Sequence, residues 1–333
     1  MKRFASNTVL YLSIFLVISL YFYFATKHNL ITDYTAKKFA RAFNQNSLVI
    51  KDEMCEDRRA VYQNIILHKN GHFSTLFIGS SRIMQLGKYT GINNALNLGM
   101  SGANFYDIQY VYQLVIANNI HYDTLVLDIN PWTVCPSIEN RQIQFNKLEI
   151  LKLFLKDVFT FNYSKKDIQY ALSTKENTFH VANYSDIGNP NNFIKFTDGS
   201  IKQITLGPIK RAGRIATFCN ELYLLNNFFS IDITLFNNTK KLIESELHQT
   251  PTYLILSPFH PNLFKQRKND IRVKNLFVLE EKIRKEYNAK INIIGSFNPN
   301  NLKMTDSNFV DGFHLTETSI SHLYRNMSIS KKM

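Results

Sequence analysis

The chain has three cysteines in 333 residues, and Cys55, Cys135 and Cys219 lie far apart with no C-x-x-C pair. That spacing argues against a zinc site and allows at most one disulfide, with one thiol left over. No G-x-G-x-x-G fingerprint and no P-loop lysine is present, so a nucleotide-binding doubly wound domain finds little support. Internal repeats and low-complexity tracts are also missing. The formal net charge is +13, yet a concentrated basic face is lacking, because the 39 lysines and arginines are scattered among 26 acids. Nucleic-acid recognition needs such a face with aromatics interleaved, and no nucleic-acid partner is expected. The densest basic run, Lys265 to Lys274, reads as a solvated loop and helix start.

Charge is absent from Phe4 to Thr26, where Val9 to Ala25 reads VLYLSIFLVISLYFYFA. This apolar length is close to what a bilayer requires. Lys2 and Arg3 precede it, no Ala-x-Ala cleavage site follows, and the aromatic cluster from Tyr21 to Phe24 suits an interfacial belt. Residues 1–26 are therefore expected as an uncleaved anchor in the plasma membrane, with the globular body on the extracytoplasmic side. Residues 27–70 read as a stalk with one or two helices.

From residue 71 onward, short apolar runs alternate with helical stretches. Strands are expected at Phe73 to Ile78, Ala95 to Leu98, Thr124 to Ile129, Thr252 to Leu256 and Ala289 to Ile294. Helices are expected at Asn104 to Asn118, Lys240 to Leu247 and Ile271 to Tyr287, with a closing helix after His314. Strands separated by helices imply parallel pairing, hence an α/β domain over residues 71–333. The expected fold is a flavodoxin-like three-layer sandwich around a mostly parallel five-stranded sheet. The rhythm stops between about 135 and 237, which reads as a helical insertion. Its clearest helical pieces are Leu148 to Phe159 and Asn220 to Phe229, and Thr197-Asp198-Gly199-Ser200 reads as a hairpin turn.

Four of the five strands end in polar or glycine-containing turns: Gly79-Ser80-Ser81, Gly99-Met100-Ser101-Gly102, Asn130-Pro131-Trp132 and Ser257-Pro258-Phe259-His260. In a parallel sheet these ends share one edge, so the turns converge on one crevice. Ser81 is the candidate nucleophile, followed by a helix whose free N–H groups are expected to face the site. A serine hydroxyl needs a base, and the base needs a carboxylate to fix its tautomer. Asp311-Gly312-Phe313-His314 carries both on one turn.

These blocks resemble the SGNH (GDSL-type) hydrolases. Gly79-Ser80-Ser81-Arg82 is similar to their first block, with Ser80 where Asp is usual. Asn97-Leu98-Gly99-Met100-Ser101-Gly102 is similar to their glycine block, and Asp311-Gly312-Phe313-His314-Leu315 to their Asp-x-x-His block. The resemblance runs from about Ser74 to Leu323, with the insertion outside it. It implies that Ser81 attacks an ester or thioester carbonyl, that His314 acts as base and then acid, and that Asp311 orients His314. It also implies an oxyanion hole made by the N–H groups of Ser81 and Gly99 and by an Asn side chain. The family's Gly-x-Asn-Asp is absent, and Asp128-Ile129-Asn130-Pro131-Trp132 stands in its place. Asn130 is either that third donor or a structural turn residue before proline. Arg82 either binds an anionic group or pairs with an acid of the protein, and His260 either touches substrate or is an ordinary turn residue.

No metal or cofactor is called for. The expected activity is that of a membrane-anchored esterase or O-acyltransferase on an acylated cell-envelope polysaccharide or lipid. Related layouts work beside a multi-spanning O-acyltransferase, which is the implied partner. A non-catalytic envelope-assembly or polymer-binding protein that retains the fold is the alternative.

Overall fold

The computed structural model describes residues 11–20, 40–41, 48–50, 58–87, 91–135, 179–181, 193–202, 208–222, 225–247, 250–287 and 290–325. At its centre are β3 (Thr75–Ile78), β4 (Ala95–Asn97), β6 (Leu125–Asp128), β10 (Thr252–Leu256) and β11 (Asn292–Gly295). They form one five-stranded sheet in the order β11-β10-β6-β3-β4, with every pair parallel, and the short strands β2 (His72–Phe73) and β5 (His121–Tyr122) pair parallel outside it. Alternate residues of a strand face opposite sides. Leu76, Ile78, Leu125, Leu127, Leu254 and Leu256 accordingly enter one apolar cluster, while Phe77, Val126, Tyr253 and Ile255 enter a second on the other face. A sheet buried on both faces explains why its strands read as continuous apolar runs.

The helices are α1 (residues 11–20), α2 (Arg58–Leu67), α3 (Phe105–Ala117), α4 (Pro208–Glu221), α5 (Ile233–Leu247), α6 (Pro261–Gln266), α7 (Ile271–Tyr287) and α8 (Glu317–Tyr324). The expected strand at Thr252 to Leu256 and helix at Ile271 to Tyr287 appear with those bounds. Asn104 caps α3 by accepting from the amides of Tyr106 and Asp107, and the Asp107 carboxylate reaches back to the Asn104 amide.

The segments outside the sheet depart further from expectation. In the stretch read as a stalk, β1 (Leu48–Ile50) pairs antiparallel with β7 (Phe179–Val181) and β8 (Phe193–Lys195), and β8 continues to β9 (Ile201–Lys202). The insertion is thus partly a sheet, joined to a chain segment more than a hundred residues earlier. The β8–β9 hairpin turns at Phe196 to Ser200, where Gly199 has φ +86°. The helix expected over Asn220 to Phe229 is displaced: α4 starts at Pro208 and stops at Glu221, where Leu222 turns to φ +51°. Leu148 to Phe159 lies outside the described residues. Among the described residues no helix is long and apolar enough to cross a membrane; of the expected anchor, only α1 is described, and its side chains are exposed.

Candidate active site

β3 ends at Gly79, and the chain passes through Ser80 and Ser81 into a short 3-10 turn, Ile83–Gln85. A full helix was expected here. The turn stops because the Asn97 side-chain amide takes its carbonyls, donating to Ile83 O at 2.7 Å and Leu86 O at 3.0 Å. Ser81 therefore sits on a tight corner without a long helix behind it.

Across the sheet edge, the loop between β11 and α8 brings in Asp311 and His314. His314 Nε2 lies 2.9 Å from Ser81 Oγ, and His314 Nδ1 lies 2.8 Å from Asp311 Oδ2. Asp311 Oδ1 accepts from the amides of Phe313 at 2.9 Å and His314 at 2.8 Å, which closes the loop around the carboxylate. Burial pushes the Asp311 carboxyl up, but attraction to a protonated His314 and these hydrogen bonds outweigh it and hold the group at about 2. A charged Asp311 only accepts, so Nδ1 carries the imidazole proton and Nε2 is left to accept from the Ser81 hydroxyl. The three predicted catalytic residues are in line, 233 positions apart in sequence at the widest pair.

The oxyanion expectations fare differently. The Gly99 amide donates to Asn97 Oδ1 at 2.9 Å, and a Cβ at Gly99 would fall 2.7 Å from Ile83 and Met84 side-chain atoms. Gly99 is there for close packing and offers no free donor. Asn130 Nδ2 donates to Asp128 Oδ2 at 2.7 Å and Ser80 Oγ at 3.1 Å, and its Oδ1 accepts from Arg82 at 3.0 Å. Both of its amide hydrogens are consumed inside the protein, so Asn130 is a structural link in this state. The Ser81 amide has no acceptor among the described residues and remains the candidate donor.

Arg82 is also internal. It is 4% exposed, donates to Asn130 and to Ser257 O at 2.8 Å, and stacks on Phe259 with 4.0 Å from guanidinium carbon to ring centroid. Burial lowers its pKa to about 10, against the favourable charge of Asp128. It does not line the cleft. His260 is fully buried, caps α6 by accepting from the Asn262 amide at 3.2 Å, and sends its own amide to Gly312 O at 3.0 Å. It supports the loop that carries His314 and makes no part of the cleft wall.

Sequence reasoning missed Asp128. Its Oδ1 accepts from the Ser80 amide at 2.8 Å and its Oδ2 from the Ser80 hydroxyl at 2.6 Å, on the residue that precedes the candidate nucleophile. The carboxylate missing at position 80 is thus supplied from the neighbouring strand. The available signal was an acid closing an otherwise apolar strand, Leu125-Val126-Leu127-Asp128. Such a group is buried only where it is well bonded.

Ser81, His314 and Asp311 open onto a cleft of about 790 Å³ whose wall includes Trp132, Phe218, Phe313, Lys210 and Arg214. Phe218 of α4 packs against Gly312, so this helix of the insertion forms part of the site. Among the described residues no cluster of His, Cys, Asp or Glu fits a metal ion, and Cys135 and Cys219 are both buried. Compared with known proteins, the chain matches no protein-family model and no curated protein.

Proposed function

We propose that the protein is an SGNH-type serine esterase or O-acyltransferase, anchored in the plasma membrane by residues 1–26 and acting on an acylated cell-envelope polysaccharide or lipid. The observation that carries this reading is the unbroken relay from Ser81 Oγ through His314 to Asp311, at 2.9 Å and 2.8 Å, at the carboxyl edge of a parallel sheet. The finer fold we read on that sheet is the flavodoxin-like three-layer sandwich.

The chemistry follows from the geometry. Ser81 Oγ attacks the ester carbonyl as His314 Nε2 takes its proton, and Asp311 stabilises the resulting imidazolium. The Ser81 amide faces the developing oxyanion. Collapse of the tetrahedral adduct breaks the bond to the alcohol, which leaves with the proton from Nε2, and Ser81 keeps the acyl group. Water or an acceptor hydroxyl then gives its proton to Nε2 and attacks the acyl-enzyme, giving hydrolysis or transfer. A multi-spanning O-acyltransferase is the partner in keeping with this reading.

One observation favours a second reading, a polymer-binding or envelope-assembly protein of the same fold: Gly99 and Asn130, two of three expected oxyanion donors, are bonded internally. A serine-directed fluorophosphonate probe separates the two. Covalent labelling that Ser81→Ala abolishes is expected; absence of labelling in folded protein supports binding without catalysis.

A further inference from the structure

α4 carries three cations in its first two turns, Lys210, Arg211 and Arg214, and no acid in its first turn. Cations at this end oppose the helix dipole, which favours anions there. The helix therefore gains nothing from them on its own account. Arg211 has a structural partner, since its guanidinium donates to the Asp306 carbonyl and ties α4 to the loop before Asp311. Lys210 and Arg214 are four residues apart, hence on one helix face, and both line the cleft that holds Ser81 and His314. Neither makes an ion pair or hydrogen bond with a described residue. Among the described residues the lining carboxylate is Asp311, which already accepts from His314 and two amides. The wall also contains Trp132, whose indole N–H is buried and has no acceptor among the described residues.

From these placements we infer that the cleft takes an anionic ester, one carrying a phosphate or carboxylate beside the ester group, and that Lys210 and Arg214 receive the charge. The inference rests on Ser81 being the acyl-transfer centre, and it adds the substrate's chemical class. The charge sits on the insertion and the reacting atoms sit on the sheet. The aromatic side chains of Trp132 and Phe313 on the same cleft wall suit the apolar part of the same molecule.

Trp132 is the chain's single tryptophan, so its fluorescence reports the cleft directly. The full chain in detergent is titrated with phenyl phosphate, benzoate and their neutral counterpart benzamide. Either anion is expected to bind at least about tenfold more tightly than benzamide at low salt, with the preference shrinking as salt rises. The tighter of the two anions tells phosphate from carboxylate. Lys210→Glu/Arg214→Glu is expected to abolish the preference and Lys210→Gln/Arg214→Gln to reduce it. Equal binding of anions and benzamide by the wild type overturns the inference, as does a preference that survives charge reversal. Should a variant fail to fold, the wild-type comparison and its salt dependence still decide. Fluorophosphonate labelling is independent of this readout. Anion preference without Ser81 labelling sinks the catalytic reading alone, and labelling without anion preference sinks this inference alone.

Discussion

A buried carboxylate has to be held by donors, and Asp128 and Asp311 are held for different ends. Asp128 accepts from Ser80 and Asn130 and stays behind the candidate nucleophile; burial raises its pKa, and those bonds and the Arg82 charge offset only part of that rise. A Cβ on Gly79 would lie 1.9 Å from Asp128 Oδ1. Gly79→Ala is therefore expected to break the Ser80–Asp128 link and cost about 2–4 kcal/mol, seen as a lower denaturant midpoint together with lost Ser81 labelling. Asp311 is the opposite case. Its folded pKa of about 2 lies below the ordinary value near 4, so the unfolded chain binds its proton more readily. Stability from Asp311 is thus fully present above about pH 4 and disappears as pH falls through 2, a loss of roughly 2 kcal/mol. Denaturant midpoints of wild type and Asp311→Asn at both pH values check this, because the Asn variant lacks that component of the acid limb. Ser81, Asp311 and His314 were legible in sequence because their blocks carry chemistry in adjacent letters. The roles of Gly99, Asn130, Arg82 and His260 were not, because each depends on which partner burial brings within reach.

At the scale of elements, α4 and the Asp311–His314 loop act as one unit. A Cβ on Gly312 would sit 2.2 Å from ring atoms of Phe218, so Gly312→Ala is expected to lift α4 off the loop. Faster amide hydrogen exchange across residues 208–221 than in wild type is the expected result; unchanged protection there would show that Phe218 adapts in place. On the far side of the sheet edge, the β8–β9 hairpin meets β4 through a bond from the Asn97 amide to the Asp198 carbonyl at 2.6 Å. A Cβ on Gly199 would come within 2.2 Å of Asn97 O. Long elements announce themselves through period and apolar runs, as α7 and β10 do. Strands of two or three residues such as β1, β7 and β9 have too few positions to show a period, and their pairing is non-local.

For the whole molecule, membrane attachment has a direct test. Residues 11–20 are helical with exposed apolar side chains, Tyr11 at 69% and Phe15 at 70% among them. Exposed apolar surface of this kind favours an apolar surrounding. The protein is expected to stay in the membrane fraction after alkaline carbonate extraction, whereas release of a shortened soluble form would mark a cleaved signal peptide. The net charge of +13 gains meaning at this scale too, since two of its cations sit on the cleft wall without a partner among the described residues.

Local sequence by itself determined the strand–turn starting at Gly79, the alternation that makes the sheet parallel, and the pairing of Asp311 with His314. Those are properties of neighbouring residues, set by side-chain period, backbone freedom and proton chemistry over a few positions. Tertiary structure alone decided that His314 meets Ser81, that Asp128 stands in for an acid at position 80, that Asn130 and Gly99 turn inward, and that α4 brings Lys210 and Arg214 to the cleft of the candidate nucleophile Ser81. The Ser81–His314 and Ser80–Asp128 contacts join segments separated by dozens to hundreds of residues, and only burial against a common sheet edge fixes which polar groups find one another.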